Sequence, residues 1–284
     1  MSGSANALLI GCRLVAQIHL DQVSVDFVVY QGSGRSLKKT LLHSSTSGII
    51  RHDAQHRIQV HALDRVSVQL EHGDRLGLIG GNGAGKTTLL RTMAGVYEPT
   101  TGRIRVEGQV TPLFDLSIGF DGDATGYDNI RMRAAYLGVS RQEIERKMDD
   151  IAAFTELGGH LDLPVRTYSA GMMLRLAFGA ATAIDAEILL MDEWIAVSDA
   201  QFLEKAERRA EEFVSRASIL VMASHVESVL RRLCNKLLWL ENGRVVMMGP
   251  FEEVLEAYHR ATETGSAGRL RGLAPEAART VVQS

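Results

Sequence analysis

Two short stretches of this chain carry the residue types that chemistry on a phosphate requires. The first, Gly80-Gly81-Asn82-Gly83-Ala84-Gly85-Lys86-Thr87-Thr88, satisfies the pattern G-x-x-x-x-G-K-[ST]. Its glycines let the backbone fold tightly and turn N–H groups inward as an anion nest, at the positive end of the helix that follows. Lys86 is placed to reach β- and γ-phosphates, and the Thr87 hydroxyl to hold Mg²⁺. The second stretch is the apolar run Ile188-Leu189-Leu190-Met191, which empties into Asp192-Glu193. A buried strand ending in an acidic pair about 100 residues after a phosphate loop suits nucleotide hydrolysis. Asp192 is the second candidate for Mg²⁺, and Glu193 the candidate general base for an attacking water. Together they predict a site for a nucleoside triphosphate.

Two further positions are open on their residues alone. In Tyr168-Ser169-Ala170-Gly171-Met172, Ser169 precedes a helix at 173–184. It can simply cap that helix, or offer its hydroxyl with the Gly171 N–H to a γ-phosphate. His225 follows the apolar strand Ile219 to Met222; it is either a satisfied polar residue or a group that meets the γ-phosphate at the same sheet edge.

The elements that must position these residues follow an α/β rhythm. Strands are predicted over 17–27, 62–71 and 76–79, with His72-Gly73-Asp74 as a hairpin turn into the last of them, and a helix follows over 89–93. Two short strands, 103–107 and 109–113, meet at Gly108. From about 125 to 184 the pattern turns helical, with a capping box at Ser140-Arg141-Gln142-Glu143 and Ile144, Met148, Ile151 and Phe154 at helical spacing. Strand and helix then alternate: 187–191, 200–216, 218–222, 226–233 and 236–240. A hairpin turn at Glu241-Asn242-Gly243-Arg244 leads to 245–248, and 251–261 forms a final helix. Arg35 to Leu42 reads as a short amphipathic helix that lies on a membrane surface or partner, or packs on its own domain. Residues 43–60, with His43, His52 and His56, read as a polar loop whose spacing matches no zinc motif.

A net charge of −3 over 284 residues gives no broad basic field, so nucleic acid is not an expected partner. The two cysteines, Cys12 and Cys234, form no C-x-x-C pair and read as small core residues in a reducing compartment. No segment supplies the roughly 20 uninterrupted apolar residues of a spanning helix, and the N-terminus lacks the pattern of a signal peptide.

Taken in order, the motifs resemble the nucleotide-binding subunits of ABC transporters. Gly80 to Thr87 looks like Walker A, Tyr168 to Met172 like the signature loop, Asp192-Glu193 like the end of Walker B, Val197-Ser198-Asp199-Ala200 like the D-loop, and His225 like the switch histidine. A finer resemblance is to the ATP-binding subunits of polysaccharide, O-antigen and teichoic acid exporters. It rests on Ala84 to Leu90, Gly126-Tyr127-Asp128-Asn129-Ile130, Thr167 to Met172 and Ala200-Gln201-Phe202. The chain departs from most members at Ala170 and Met172, and it has no glutamine in the Q-loop position, where 113–120 places Asp115 as the candidate substitute. Phe27, with Tyr30 as alternate, is the candidate to stack on adenine.

This resemblance implies an α/β P-loop ATPase core with an antiparallel β-subdomain and an inserted helical lobe. The nucleotide-binding domain would span 17–264, with the lobe at about 125–185 and a gate-helix-like insertion at about 31–60. An extension at 1–16 and a tail at 265–284 would flank it. It implies an ATP hydrolase using ATP and Mg²⁺. A homodimer would pair Lys86 and Thr87 of one subunit with Ser169 and Gly171 of the other across two ATP molecules. The dimer would act at the cytoplasmic face of the inner membrane on two copies of a separate permease that carries the glycan. With Ser284 following soon after the core, the glycan-binding β-sandwich that some members add is not expected here. Rival expectations are a transporter for a lipid, drug or peptide and a soluble ABC ATPase; the second usually has two ATPase units or a coiled-coil insertion.

Overall fold

A computed structural model describes residues 16–29, 49–52, 58–114, 119–193 and 200–263. In chain order these form β1 (Gln17–Val29), β2 (Ile49–His52), β3 (Ile58–Leu70), β4 (Arg75–Ile79), α1 (Lys86–Met93), β5 (Thr101–Glu107) and β6 (Val110–Pro112). A helical block follows: α2 (Gly126–Tyr136), α3 (Arg141–Thr155) and α4 (Ala170–Thr182), with two short 3₁₀ turns between α3 and α4. The alternation resumes as β7 (Ile188–Asp192), α5 (Ala200–Arg216), β8 (Ile219–Ala223), α6 (Glu227–Leu233), β9 (Lys236–Glu241), β10 (Arg244–Pro250) and α7 (Phe251–Glu263).

The strands sort into two sheets. One has the order β10-β9-β4-β8-β7-β6, parallel except for the β9–β10 hairpin; the other is antiparallel, β2-β3-β1-β5. The central parallel strands are covered on both faces, which is why β4, β7 and β8 read as nearly unbroken apolar runs instead of alternating. One face packs with α1 against the antiparallel sheet, in a core that includes Ile18, Leu63, Leu78, Leu89, Leu190 and Val221. The opposite face is covered by α5, α6 and α7 through Phe213, Leu230 and Val254.

The antiparallel sheet alternates, burying Ile18, Leu20, Val23 and Val25 of β1. Its β1–β3 register slips between Leu20 and Asp26, with Gln22 and Arg65 at φ +49° and +52°. The N–H groups freed at these bulges are taken up by hydroxyls: Gln22 N donates to Ser67 Oγ and Arg65 N to Ser24 Oγ, each at 3.0 Å.

Residues 126–182 form a separate helical lobe around Ile130, Ile144, Ile151, Leu176 and Ala180. Ser140 caps α3 by accepting from Glu143 N, and Thr125 caps α2 by accepting from Asp128 N. The lobe is tied to α5 by Phe154, Phe178 and Phe202. Three cations lie over these rings: Arg175 is 4.5 Å from the Phe202 centroid, and Lys205 and Arg209 are 5.2 and 4.9 Å from that of Phe154. Glu156 bridges Arg175 and Lys205, and Asp150 receives Arg209.

Two expectations change. His72-Gly73-Asp74 is not a hairpin turn, because β3 belongs to the antiparallel sheet and β4 to the parallel one; the turn carries the chain between layers. The polar loop expected over 43–60 contains β2 and the start of β3, paired from Ile49–His61 to His52–Ile58. His43, His56 and the helix expected at 35–42 lie outside the described residues, as do the extension 1–15 and the tail from 264. No helix among the described residues is long and apolar enough to cross a membrane.

Candidate active site

The carboxyl ends of β4, β7 and β8 are adjacent in the parallel sheet, and each delivers one part of the site. After β4 the chain turns through Gly80 and enters α1 at Lys86. The loop can hold this path only with glycine at its two closest approaches. A Cβ on Gly80 (φ +141°) would lie 2.2 Å from the Leu240 carbonyl oxygen, and one on Gly85 (φ +109°) 2.8 Å from the Ala62 oxygen. Gly243, buried in the β9–β10 turn, donates its N–H to Ala84 O (2.9 Å) and accepts from Asp64 N (2.8 Å), so both sheets brace the loop.

Gly85, at the N-cap of α1, offers no side-chain acceptor, and no acidic residue stands in the first turn. The helix start is thus free to face an anion. Lys86 is buried, and its Nζ donates to the carbonyl oxygens of Gly80 (2.7 Å) and Gly81 (3.2 Å). Burial pushes its ammonium below the ordinary lysine range, while the carboxylates of Asp192 and Glu193 pull it back up. Asn82, Gly83 and Thr87 are exposed around it, Ala84 is buried, and Thr88 is half-buried, its carbonyl taken by Thr92 Oγ1.

Beyond β7, Glu193 adopts φ +76°, a conformation that costs a non-glycine residue about 1–3 kcal/mol and clusters at functional sites. Its N–H is held by Ala223 O at 2.8 Å. Its carboxylate accepts from Ser224 Oγ (3.3 Å) and His225 N (3.4 Å), with His225 Nε2 3.7 Å away. Lys86, Asp192, Glu193 and His225 are therefore gathered at one edge. Ser224 joins them, although the sequence reading passed over it; its position between an apolar strand and His225 was the available signal.

The 168–172 loop lies elsewhere. Ser169 caps α4 by accepting from Met172 N (3.2 Å), and Tyr168 donates its hydroxyl hydrogen to His160 O (2.6 Å). Tyr168 and Met172 pack on the core of the helical lobe, while Ala170 and Gly171 are exposed in the first turn. Among the described residues no hydrogen bond or ion pair joins this loop to Lys86 in the same chain. Phe27 is half-buried, edge-on to Tyr97 with ring centroids 5.1 Å apart. Tyr97, which the sequence reading did not single out, also accepts from Arg91 Nη1 at 3.0 Å. Tyr30, Asp115 and Asp199 lie outside the described residues.

No cluster of three or more His, Cys, Asp or Glu side chains suited to a metal occurs among the described residues. Thr87 and Asp192 suit Mg²⁺ in another way: one hydroxyl and one carboxylate beside an anion site, with phosphate oxygens and water left to complete the hard-oxygen shell.

A family model described as ABC transporter matches residues 63–196. The O-antigen export system ATP-binding protein RfbE of Yersinia enterocolitica is 44% identical over 223 residues, covering 78% of this chain and 93% of that relative. The chain belongs to the ABC transporter family. Another ABC relative, the O-antigen export system ATP-binding protein RfbB of Klebsiella pneumoniae, is 33% identical over 86% of this chain and 98% of its own length. The ABC ATPase fold is shared with a solved structure titled as the ATP-binding subunit of an ABC transporter, at TM-score 0.61 and 20% identity over 88% of this chain and 94% of that one. The family and fold implied by the sequence motifs are therefore established. The chain is an ABC ATPase, of the kind that couples ATP hydrolysis to transport.

Proposed function

We propose that this ABC ATPase drives export of a cell-surface glycan of the O-antigen type across the inner membrane, acting from the cytoplasmic face on a permease present in two copies. The gathering of Lys86, Asp192, Glu193 and His225 at one sheet edge carries the catalytic half of this reading. The O-antigen export name of a relative aligned over 93% of its length supports the substrate half.

The nucleotide-binding unit spans 17–264, with the helical lobe at 125–185. Gly80, Asn82, Gly83, Ala84, Gly85, Lys86, Thr87 and Thr88 cradle the phosphates, with Lys86 exchanging its bonds to Gly80 O and Gly81 O for phosphate oxygens. Thr87 and Asp192 hold Mg²⁺, which supplies charge neutralisation to the phosphates when bound. Glu193 takes the proton of the attacking water, its carboxylate oriented by Ser224 and the His225 N–H. The His225 imidazole faces the γ-phosphate. Because the exposed Ser169–Gly171 turn sits on the lobe, apart from Lys86, a complete site requires this turn from a second copy, and the working unit is a homodimer closed over two nucleotides. Loss of the γ-phosphate removes the bridge and lets the copies part, and the permease converts that motion into glycan export.

The test is Glu193→Gln. This variant is expected to bind MgATP, to lose hydrolysis by at least 100-fold, and to elute as a dimer with MgATP but not with MgADP. Elution as a monomer with MgATP would refute the dimeric site.

A further inference from the structure

Helix α2 carries two fully buried polar side chains that neither the fold nor the phosphate chemistry above requires: Asn129 and Arg133. Placed i and i+4, they share one face of the helix. Asn129 closes a ring on the chain just before its own helix. Its Oδ1 accepts from Asp121 N (2.7 Å), and its Nδ2 donates to the oxygens of Asp121 (3.0 Å), Ala124 (3.3 Å) and Thr125 (2.9 Å). One turn on, Arg133 donates from Nη2 to Pro112 O at 3.3 Å, with its guanidinium 5.6 Å from the Tyr136 ring centroid. Past the end of the helix, Leu137 O accepts from Gln109 Nε2 at 2.7 Å.

These contacts tie α2 to both sides of the β6–α2 connection and to the residue just before β6. Among the described residues, strand β6 is the edge of the parallel sheet and pairs only with β7. Pro112 lies opposite Leu190, and Leu113 N donates to Leu190 O at 2.8 Å, two residues before Asp192. The helical lobe is thereby linked to the Asp192–Glu193 end of β7 through one strand. A guanidinium is costly to bury, and an apolar side chain would fill the space at lower cost if packing were all that α2 supplied.

We propose that Asn129 and Arg133 are positioning residues for ATP hydrolysis: Asn129 fixes the chain that enters α2 and Arg133 ties α2 to β6, so that the orientation of the helical lobe sets the placement of the β7 carboxylates. The inference rests on the assignment of Asp192 and Glu193 to hydrolysis. It is tested with Asn129→Ala, Arg133→Met, Arg133→Lys and the control Met148→Ala, which opens the lobe core without touching either tie. Hydrolysis, nucleotide affinity, melting temperature and amide exchange at Leu113 and Asp121 are measured for each.

Asn129→Ala and Arg133→Met are expected to lower kcat by about 10-fold or more while nucleotide Kd stays within about threefold. Exchange at Asp121 and at Leu113, respectively, should accelerate, and Arg133→Lys should restore part of kcat. Met148→Ala should keep kcat within about twofold despite a comparable loss in melting temperature. Wild-type kcat in Asn129→Ala, or an equal loss in Met148→Ala, overturns the proposal; should Arg133→Met not fold, Asn129→Ala decides. A Glu193→Gln variant run alongside separates the two readings. Normal hydrolysis there sinks both, whereas an inactive Glu193→Gln with a fully active Asn129→Ala sinks only this one.

Discussion

Exchanging Gly85 and Gly81 separately for alanine asks whether the phosphate loop is held by its surroundings or merely permitted by its composition. At Gly85 the backbone has φ +109°, where an L-residue loses roughly 1–2 kcal/mol. The added methyl would stand 2.8 Å from Ala62 O and 3.1 Å from Leu63 Cδ2, whereas an ordinary carbon–oxygen approach is about 3.3–3.6 Å. The backbone of β3 or the start of α1 must retreat by about half an ångström, an overpacking change that costs about 1–3 kcal/mol. Together these lower stability by about 2–5 kcal/mol, or roughly 5–20 °C in melting temperature for a domain of this size. Gly81 differs: its φ is outside the left-handed region and a Cβ there meets nothing within 4 Å. Gly81→Ala should leave the melting temperature of the nucleotide-free protein within about 2 °C, or raise it slightly by restricting the unfolded chain. Thermal unfolding by circular dichroism, without nucleotide, reads both. Equal losses in the two variants, or a Gly85→Ala melting temperature within 2 °C of wild type, would refute the argument.

Other expectations follow from the packing. A double-mutant cycle of Arg175→Met with Phe202→Leu, followed by urea unfolding, should give a coupling of about 1 kcal/mol for the guanidinium over the ring, and a value under about 0.3 kcal/mol would remove the contact from the account of how α4 holds α5. The hydrogen bond from Arg209 holds the Asp150 carboxyl below its ordinary value, so its contribution is present above about pH 4 and fades as pH falls through the lowered pKa. The unfolding free energies of wild type and Asp150→Asn should therefore differ most above about pH 4 and draw together as pH falls below it, and a difference independent of pH contradicts the pairing. Burial pushes the Cys234 thiol up to about 12. In a Cys12→Ser background it should resist iodoacetamide at pH 8 until the protein unfolds, and alkylation at a free-thiol rate would show that the pocket opens.

Much of the candidate site was legible because its parts are local. A phosphate loop, an acidic pair after an apolar strand and a histidine after another are each contiguous words, and the parallel sheet brings their ends together. What could not be read depends on partners distant in the chain. The turn at 72–74 resembled a hairpin because the sequence shows two strands and a glycine, but not that they belong to different sheets. β2 was missed because its residues lie in a polar, histidine-rich stretch and acquire strand geometry only by pairing with β3. Phe154, Phe178 and Phe202 come from three helices, so their cluster has no spacing signature. Arg133 carries no signal of its own in the sequence; its burial follows from α2 lying along β6, which no pattern within α2 announces.

The brace that Gly243 forms between Ala84 and Asp64 has a practical side. Hairpin tips are favoured places to graft an epitope or a fluorescent reporter, since they usually tolerate insertions. In this protein the 241–244 tip is a splint for the 80–88 loop, and Arg244 adds an ion pair to Asp64 on the same joint. An insertion there would loosen the 80–88 loop, and with it the nucleotide site proposed on it, so labels for following this ATPase belong away from the β9–β10 turn.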